Sequence, residues 1–273
     1  MMNHIGEFIA RRRKEMGYTQ QKLAERLNIS FQAISKWEVG NMLPDIQLLP
    51  QIAAVLNTSV DAILGHTHVS RTHYEEKYRG EAYYWGIVPN KLCHEIMKLR
   101  PPIEPYRVLD IGCGEGKDAV FLAKNGYEVT AFDIAETGLD KAKKLAEYHH
   151  VKVDFFKADI NEYVPNIPFD IIYSSGVLHY ISAKRRALFF EVLKANTSVN
   201  GIHALNVFVK KPFISEAPDL EDAEKQVDPW HSGELQLYYH DWMFYQNEEI
   251  LFDCTSGGTP HKHCMDVLIA EKK

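Results

Sequence analysis

From Asp110 to Gly116 the chain reads Asp-Ile-Gly-Cys-Gly-Glu-Gly, with glycine at every second position, directly after the apolar run Arg107-Val108-Leu109. Glycines so spaced let a backbone approach a ligand where any Cβ would collide. Dinucleotide-binding turns also use glycines, but their spacing needs one at position 117, and Lys117 stands there. What remains is a cradle made of Gly112, Cys113, Gly114 and Gly116 that opens a helix from Ala119 to Lys124. Acidic residues follow at strand ends. Asp133 closes Val129–Asp133, 21 residues after Gly112, the separation at which a carboxylate meets ribose hydroxyls in nucleotide folds. Asp159, followed by Ile160, ends a third apolar run, and Ser175 follows a fourth, Phe169 to Tyr173. Either acid alone reads equally well as a cap or loop carboxylate. Four strand ends in the right order make one ligand site.

The ligand those groups suit is S-adenosylmethionine. Asp110 is set to hold its cationic amino end, directly or through water. Asp133 and Ile134 would meet the ribose, Asp159 and Ile160 the adenine, and Ser175 the methionine moiety. A sulfonium is already a strong methyl donor, so such a protein mainly aligns donor and acceptor and excludes water. A thiolate, selenolate or tellurite acceptor needs little base help. An alcohol or amine must lose a proton, for which His179, His231, His261 and His263 are available. His261 and His263 share one face if their segment is extended. Cys254 and Cys264 could join them as metal ligands, but neither CxxC nor HExxH accompanies them, and no metal is expected.

These groups need a scaffold. Strand and helix alternate from Arg107 onward, with Gly201 to Lys210 as a fifth strand, which predicts a doubly wound parallel sheet with the ligand at its carboxyl edge. Ahead of it, apolar residues recur at helical spacing in five short segments between Ile5 and Leu64, with Thr19 and Ser30 as N-caps. The expected division is a helical domain over 1–66, a linker over 67–73, and an α/β domain over 74–273.

The helical segment is similar to the XRE (Cro/repressor-type) helix-turn-helix family across residues 3 to 65. The likeness rests on Ile5 to Ile9, Arg11 to Met16, Tyr18 to Ala24, Ala33 to Glu38 and Pro44. It implies double-stranded DNA as partner, with Gln32, Ser35 and Lys36 toward bases and Arg12 and Gln20 toward phosphates. A homodimer follows if a palindrome is read.

The larger segment resembles the tellurite-resistance (TehB-like) group of class I methyltransferases. The likeness rests on Tyr83 to Pro89, Leu109 to Gly116, Gly126 to Asp133, and Gly233-Glu234-Leu235 with Tyr238, Tyr239 and Trp242. It implies a Rossmann-like, seven-stranded sheet whose last strand is antiparallel and inserts into the sheet. It also implies a lid over the cofactor that includes Tyr84, Trp85 and Gly86. The best-known members carry a His-Arg pair after the Trp-bearing strand; this chain has Phe252-Asp253-Cys254, which leaves tellurite itself open as substrate.

Charge narrows the choice further. Residues 1–66 hold seven basic and six acidic side chains, so of the 31 Lys and Arg and 37 Asp and Glu the remainder is strongly acidic, which opposes a nucleic-acid substrate. The Asp/Asn/Ser-Pro-Pro-aromatic motif of amino-methylating DNA enzymes is replaced by Ser174-Ser175-Gly176-Val177, and no Pro-Cys nucleophile occurs. The four cysteines (Cys93, Cys113, Cys254, Cys264) form no CxxC pair and read as reduced thiols. No window spans a membrane, and the expected location is the cytoplasm. Two functions fit: methylation of a small molecule, or a transcription regulator whose methyltransferase-like domain senses a ligand without turnover.

Overall fold

The structure is a computed structural model that describes residues 2–56, 58–65, 73–214, 228–254 and 260–273. It separates into two compact units, Met1–Ser70 and Arg71–Lys273. Most of the linker expected at 67–73 lies outside the described residues.

Among the described residues the first unit has five α-helices, α1 (Met2–Glu15), α2 (Gln20–Leu27), α3 (Phe31–Glu38), α4 (Leu49–Val55) and α5 (Val60–Leu64), with a 3-10 turn at Ile46–Leu48 leading into α4. Thr19, Ser30 and Ser59 start α2, α3 and α5 by accepting hydrogen bonds from the N–H groups of Lys22, Ala33 and Ala62. Asn28 turns the chain out of α2 in a left-handed conformation, and only the two residues Ile29 and Ser30 separate it from α3. The apolar faces converge on Ile9, Leu23, Leu27, Ile34, Trp37 and Ile52. An ion pair runs through this small core. Arg13 grips Glu38 with two parallel bonds of 2.6 and 2.8 Å, and Gln20 donates to the same carboxylate at 2.7 Å.

The second unit is built on a seven-stranded sheet in the order β3-β2-β1-β4-β5-β7-β6. The strands are β1 (Arg107–Ile111), β2 (Glu128–Asp133), β3 (Val153–Lys157), β4 (Phe169–Ser174), β5 (Thr197–Phe208), β6 (Met243–Cys254) and β7 (His261–Glu271). β1 to β5 pair in parallel, while β7 runs antiparallel between β5 and β6. The expected inserted last strand is therefore present. Helices α6 (His73–Lys77), α7 (Lys91–Leu99), α8 (Lys117–Lys124), α9 (Glu136–Tyr148), α10 (Ala183–Ala195) and α11 (Glu234–Leu237) accompany the strands. Central strands buried on both faces are apolar nearly throughout, as parallel sheets require. One face packs Leu109, Phe132, Ile172, Leu205 and Leu268, and the other packs Val108, Ala131, Ile171, Ala204 and Ile269. Among the described residues no helix is long and apolar enough to cross a membrane.

Candidate functional site

β1 ends in the glycine turn at the carboxyl edge of the sheet. Gly112 and Gly116 take φ of 73° and 82°, a region that disfavours side chains. A Cβ on Gly112 would sit 2.3 Å from Val177, and one on Gly116 2.5 Å from Ala142 of α9. Both glycines are thus required by packing as well as by backbone conformation. The turn is pinned at its start by Phe132, whose carbonyl accepts from the N–H groups of Gly112 and Cys113 at 2.9 Å. Asp133 pins its middle: Oδ2 accepts from the Gly114 N–H and Oδ1 from the Ala135 N–H, each at 2.8 Å. Burial raises the Asp133 pKa, and these backbone donors pull it back. Its oxygens keep further lone pairs, so the carboxylate shapes the turn and can still meet a diol.

Asp110 differs. It is only 2% exposed, and its Oδ2 has no hydrogen-bond partner among the described residues. Burial, with Asp118 and Asp133 nearby, pushes its pKa well above the carboxylate range. An unpaired buried carboxyl is costly unless something completes it. A cationic ligand group would.

A strap from α6 to Asn90 crosses the turn. Tyr74 and Tyr78 stack at 5.4 Å, Trp85 Nε1 donates to the Tyr78 hydroxyl at 3.3 Å, and Tyr84 meets Trp85 edge-on at 4.8 Å. The Tyr78 hydroxyl stands 2.9 Å from where a Cβ on Gly114 would lie. Trp85 remains 45% exposed, and Gly86 faces open space. The strap is anchored at both ends. Glu75 caps α9, accepting from the N–H groups of Glu136 and Thr137. Asn90 fixes the other end: its N–H donates to Asp118 at 2.7 Å, its amide nitrogen donates to the Ser175 hydroxyl at 3.0 Å, and its Oδ1 accepts from the Leu92 N–H at 3.0 Å. Ser175 also accepts from Asn206, whose Oδ1 receives the Gly176 N–H. Tyr78, Glu75, Asn90 and Asn206 were not singled out by the sequence; the Tyr74–Tyr78 spacing of one helical turn was the available signal.

Two adenine-side expectations need correction in detail. Asp159 lies two residues beyond β3 rather than on it, and its Oδ1 accepts from the backbone and amide of Asn161. The Ile160 side chain is buried in the core cluster with Phe132, so any ligand contact falls to its backbone. Ile134 is half-buried beside Asp133.

The histidines divide. His179, Phe208 and His263 form a row of rings with centroid separations of 5.2 and 4.9 Å, and His263 meets His261 with Nε2 atoms 2.8 Å apart. Phe208 also reaches within 3.8 Å of the Cβ position of Gly176, which links the row to the Ser175 loop. His231 is exposed near α11, apart from this row. Cys254 pairs with His261 across the β6–β7 ladder, and Cys254, His261 and His263 bring their donor atoms within 4.8 Å of one another. Cys264 points to the other face and is buried. Tyr239 and Trp242, from the late family segment, pack around the buried His203 in the core.

In the first unit Gln32 and Lys36 are exposed on α3 and Ser35 is half-buried. Arg12 is not a surface group, contrary to expectation. It is 6% exposed, its Nε donates to the Leu56 carbonyl and its Nη1 to Glu15, so its charge closes α1 onto α4. Gln20 is half-buried and engaged with Glu38.

Comparison with known proteins fits both units. Residues 108–201 match the family described as methyltransferase domain, and residues 9–63 match that described as helix-turn-helix. TehB of Haemophilus influenzae, described as a probable S-adenosyl-L-methionine-dependent methyltransferase, is 25% identical over 80% of this chain and 72% of its own length. The chain is an S-adenosylmethionine-dependent methyltransferase with a helix-turn-helix domain. Another relative of this methyltransferase is the ubiquinone biosynthesis O-methyltransferase of Rickettsia bellii, 30% identical over 35% of this chain and 41% of that protein. The crystal structure of H. influenzae TehB shares its fold, with a TM-score of 0.59, 23% identity, and coverage of 74% of this chain and 66% of that one.

Proposed function

We propose that the methyltransferase acts on a small, soft nucleophile in a pocket between the aromatic strap, the Ser175 loop and the histidine row. The observation that carries the cofactor assignment is the buried Asp110 Oδ2 without a partner, beside a glycine cradle. S-adenosylmethionine fits there: its ammonium would complete Asp110, its ribose would meet Asp133, and its adenine would lie toward Asp159. When bound it supplies an electrophilic methyl group. The residues do the rest. Tyr78, Tyr84 and Trp85 cover the site and exclude water, while Asn90 and Asn206 hold Ser175 in place. An acceptor that must lose a proton would give it to His261 or His263, the paired imidazoles at the end of that row. The acidic second unit supports a small acceptor over a polyanion.

The first unit would bind double-stranded DNA through Gln32, Ser35 and Lys36, as a homodimer on a palindromic site, which joins methylation to transcriptional control. The test of the enzymatic reading is release of S-adenosylhomocysteine by the full chain with thiol, selenite and tellurite acceptors. Turnover with one of these, reduced far more than cofactor affinity by His263→Ala, is the expected result. Tight cofactor binding without transfer to any acceptor would favour a ligand-sensing regulator instead.

A further inference from the structure

The β6–β7 hairpin gathers a donor set that the methyl-transfer reading does not use. Cys254 stands opposite His261 in the ladder, and His263 lies two residues further along β7 on the same face. Their donor atoms fall within 4.8 Å of one another, the one such cluster of three among the described residues. All three are half-buried, so an ion could enter and still be shielded. We propose that Cys254, His261 and His263 form a binding site for a thiophilic divalent cation, with Zn²⁺ the best-matched ion.

The chemistry of the set favours this ion. One thiolate and two neutral imidazoles are borderline-soft ligands, and a tetrahedral ion held by three protein groups keeps a fourth position open. Two imidazole nitrogens about 2.0 Å from one such ion would sit about 3.3 Å apart. The Nε2 atoms of His261 and His263 are 2.8 Å apart, so the rings need to part by only about half an ångström. Strand pairing holds the three backbones already. Binding is balanced by loss of one proton: the Cys254 thiol becomes thiolate, while the imidazole that donates its Nε2 hydrogen to its neighbour takes that proton on Nδ1 instead, so both rings stay neutral and turn their Nε2 lone pairs to the ion. The proposal stands on hairpin geometry alone and not on the identity of the methyl acceptor. Its consequence for that reading is specific: an occupied site removes both Nε2 atoms from proton transfer.

The full chain, stripped with chelator, is dialysed against Zn²⁺ and its bound metal measured, with Cys254→Ser and His263→Gln alongside. One tight equivalent per chain is expected in the parent, weakened at least ~10-fold in each variant, with one proton released per ion. Co²⁺ as a second probe should give a thiolate-to-cobalt charge-transfer band that Cys254→Ser abolishes. S-adenosylmethionine binding in each variant reports that the unit is folded. Equal Zn²⁺ binding in parent and folded variants overturns the site, as does a Co²⁺ spectrum without the thiolate band. Failure of the methyl-transfer reading would leave these results untouched.

Discussion

Asp110→Asn separates what this residue costs the fold from what it gives the ligand. Burial holds the carboxyl protonated to a pH well above its ordinary range, while the unfolded chain ionises it near pH ~3.9. Between those two values the cofactor-free native state binds one more proton than the unfolded state, so stability falls as pH rises, by up to about 1.4 kcal/mol per pH unit. Asparagine removes that slope. The cofactor-free variant should therefore gain on the parent progressively from pH ~4 upward, until the folded-state pKa is passed. With ligand the sign reverses. Losing a charge-assisted hydrogen bond to an ammonium costs about 1.5–3 kcal/mol, or roughly 10–150-fold in affinity. Thermal melts across pH with and without S-adenosylmethionine, and titration calorimetry, read both effects. A variant that follows the parent at every pH and binds the cofactor equally well would remove Asp110 from the site.

Gly116→Ala should cost roughly 2–5 kcal/mol in denaturant unfolding of the second unit and abolish cofactor binding, since its methyl group would press on Ala142 within a left-handed turn. Glu38→Ala leaves Arg13 buried and unpaired, so the helix-turn-helix unit should lose about 3–5 kcal/mol by circular dichroism melts while cofactor affinity of the second unit stays unchanged. His203 is kept neutral by complete burial, well below its ordinary pKa. The unfolded chain takes up its proton near pH ~6.5, so stability should fall as pH drops below that value, and His203→Gln should flatten this part of the stability–pH curve.

The glycine turn and its acids were legible because their constraints are local: backbone conformation at Gly112 and Gly116, and a strand–helix–strand spacing that fixes Asp133. The helical unit was legible for the same reason, through caps and period. Arg12 was misread because its charge was weighed above its period: it falls three residues after Ile9, on the buried stripe of α1. Cys254, His261 and His263 were visible as candidate ligands but were set aside for want of a CxxC or HExxH motif, because what brings Cys254 opposite His261 and turns Cys264 to the other face is the register of β6 against β7, which no short-range pattern specifies. The role of Tyr239 and Trp242 was hidden likewise, since the partner that explains them, His203, lies on a distant strand.

The insertion of β7 has a consequence for how the chain is made. β5 carries Ile202, Leu205 and Val207 and cannot complete its pairing until residues 261–271 have been synthesised and threaded between it and β6. The first unit, whose helices join neighbours close in sequence, can fold while the ribosome is still far from that point. For the interval between, the nascent sheet presents the open side of a long apolar strand, the kind of surface that other unfinished chains can capture. The yield of native protein should therefore depend on how quickly the final hairpin is delivered, and slowing translation just ahead of β7 should shift the product toward aggregates.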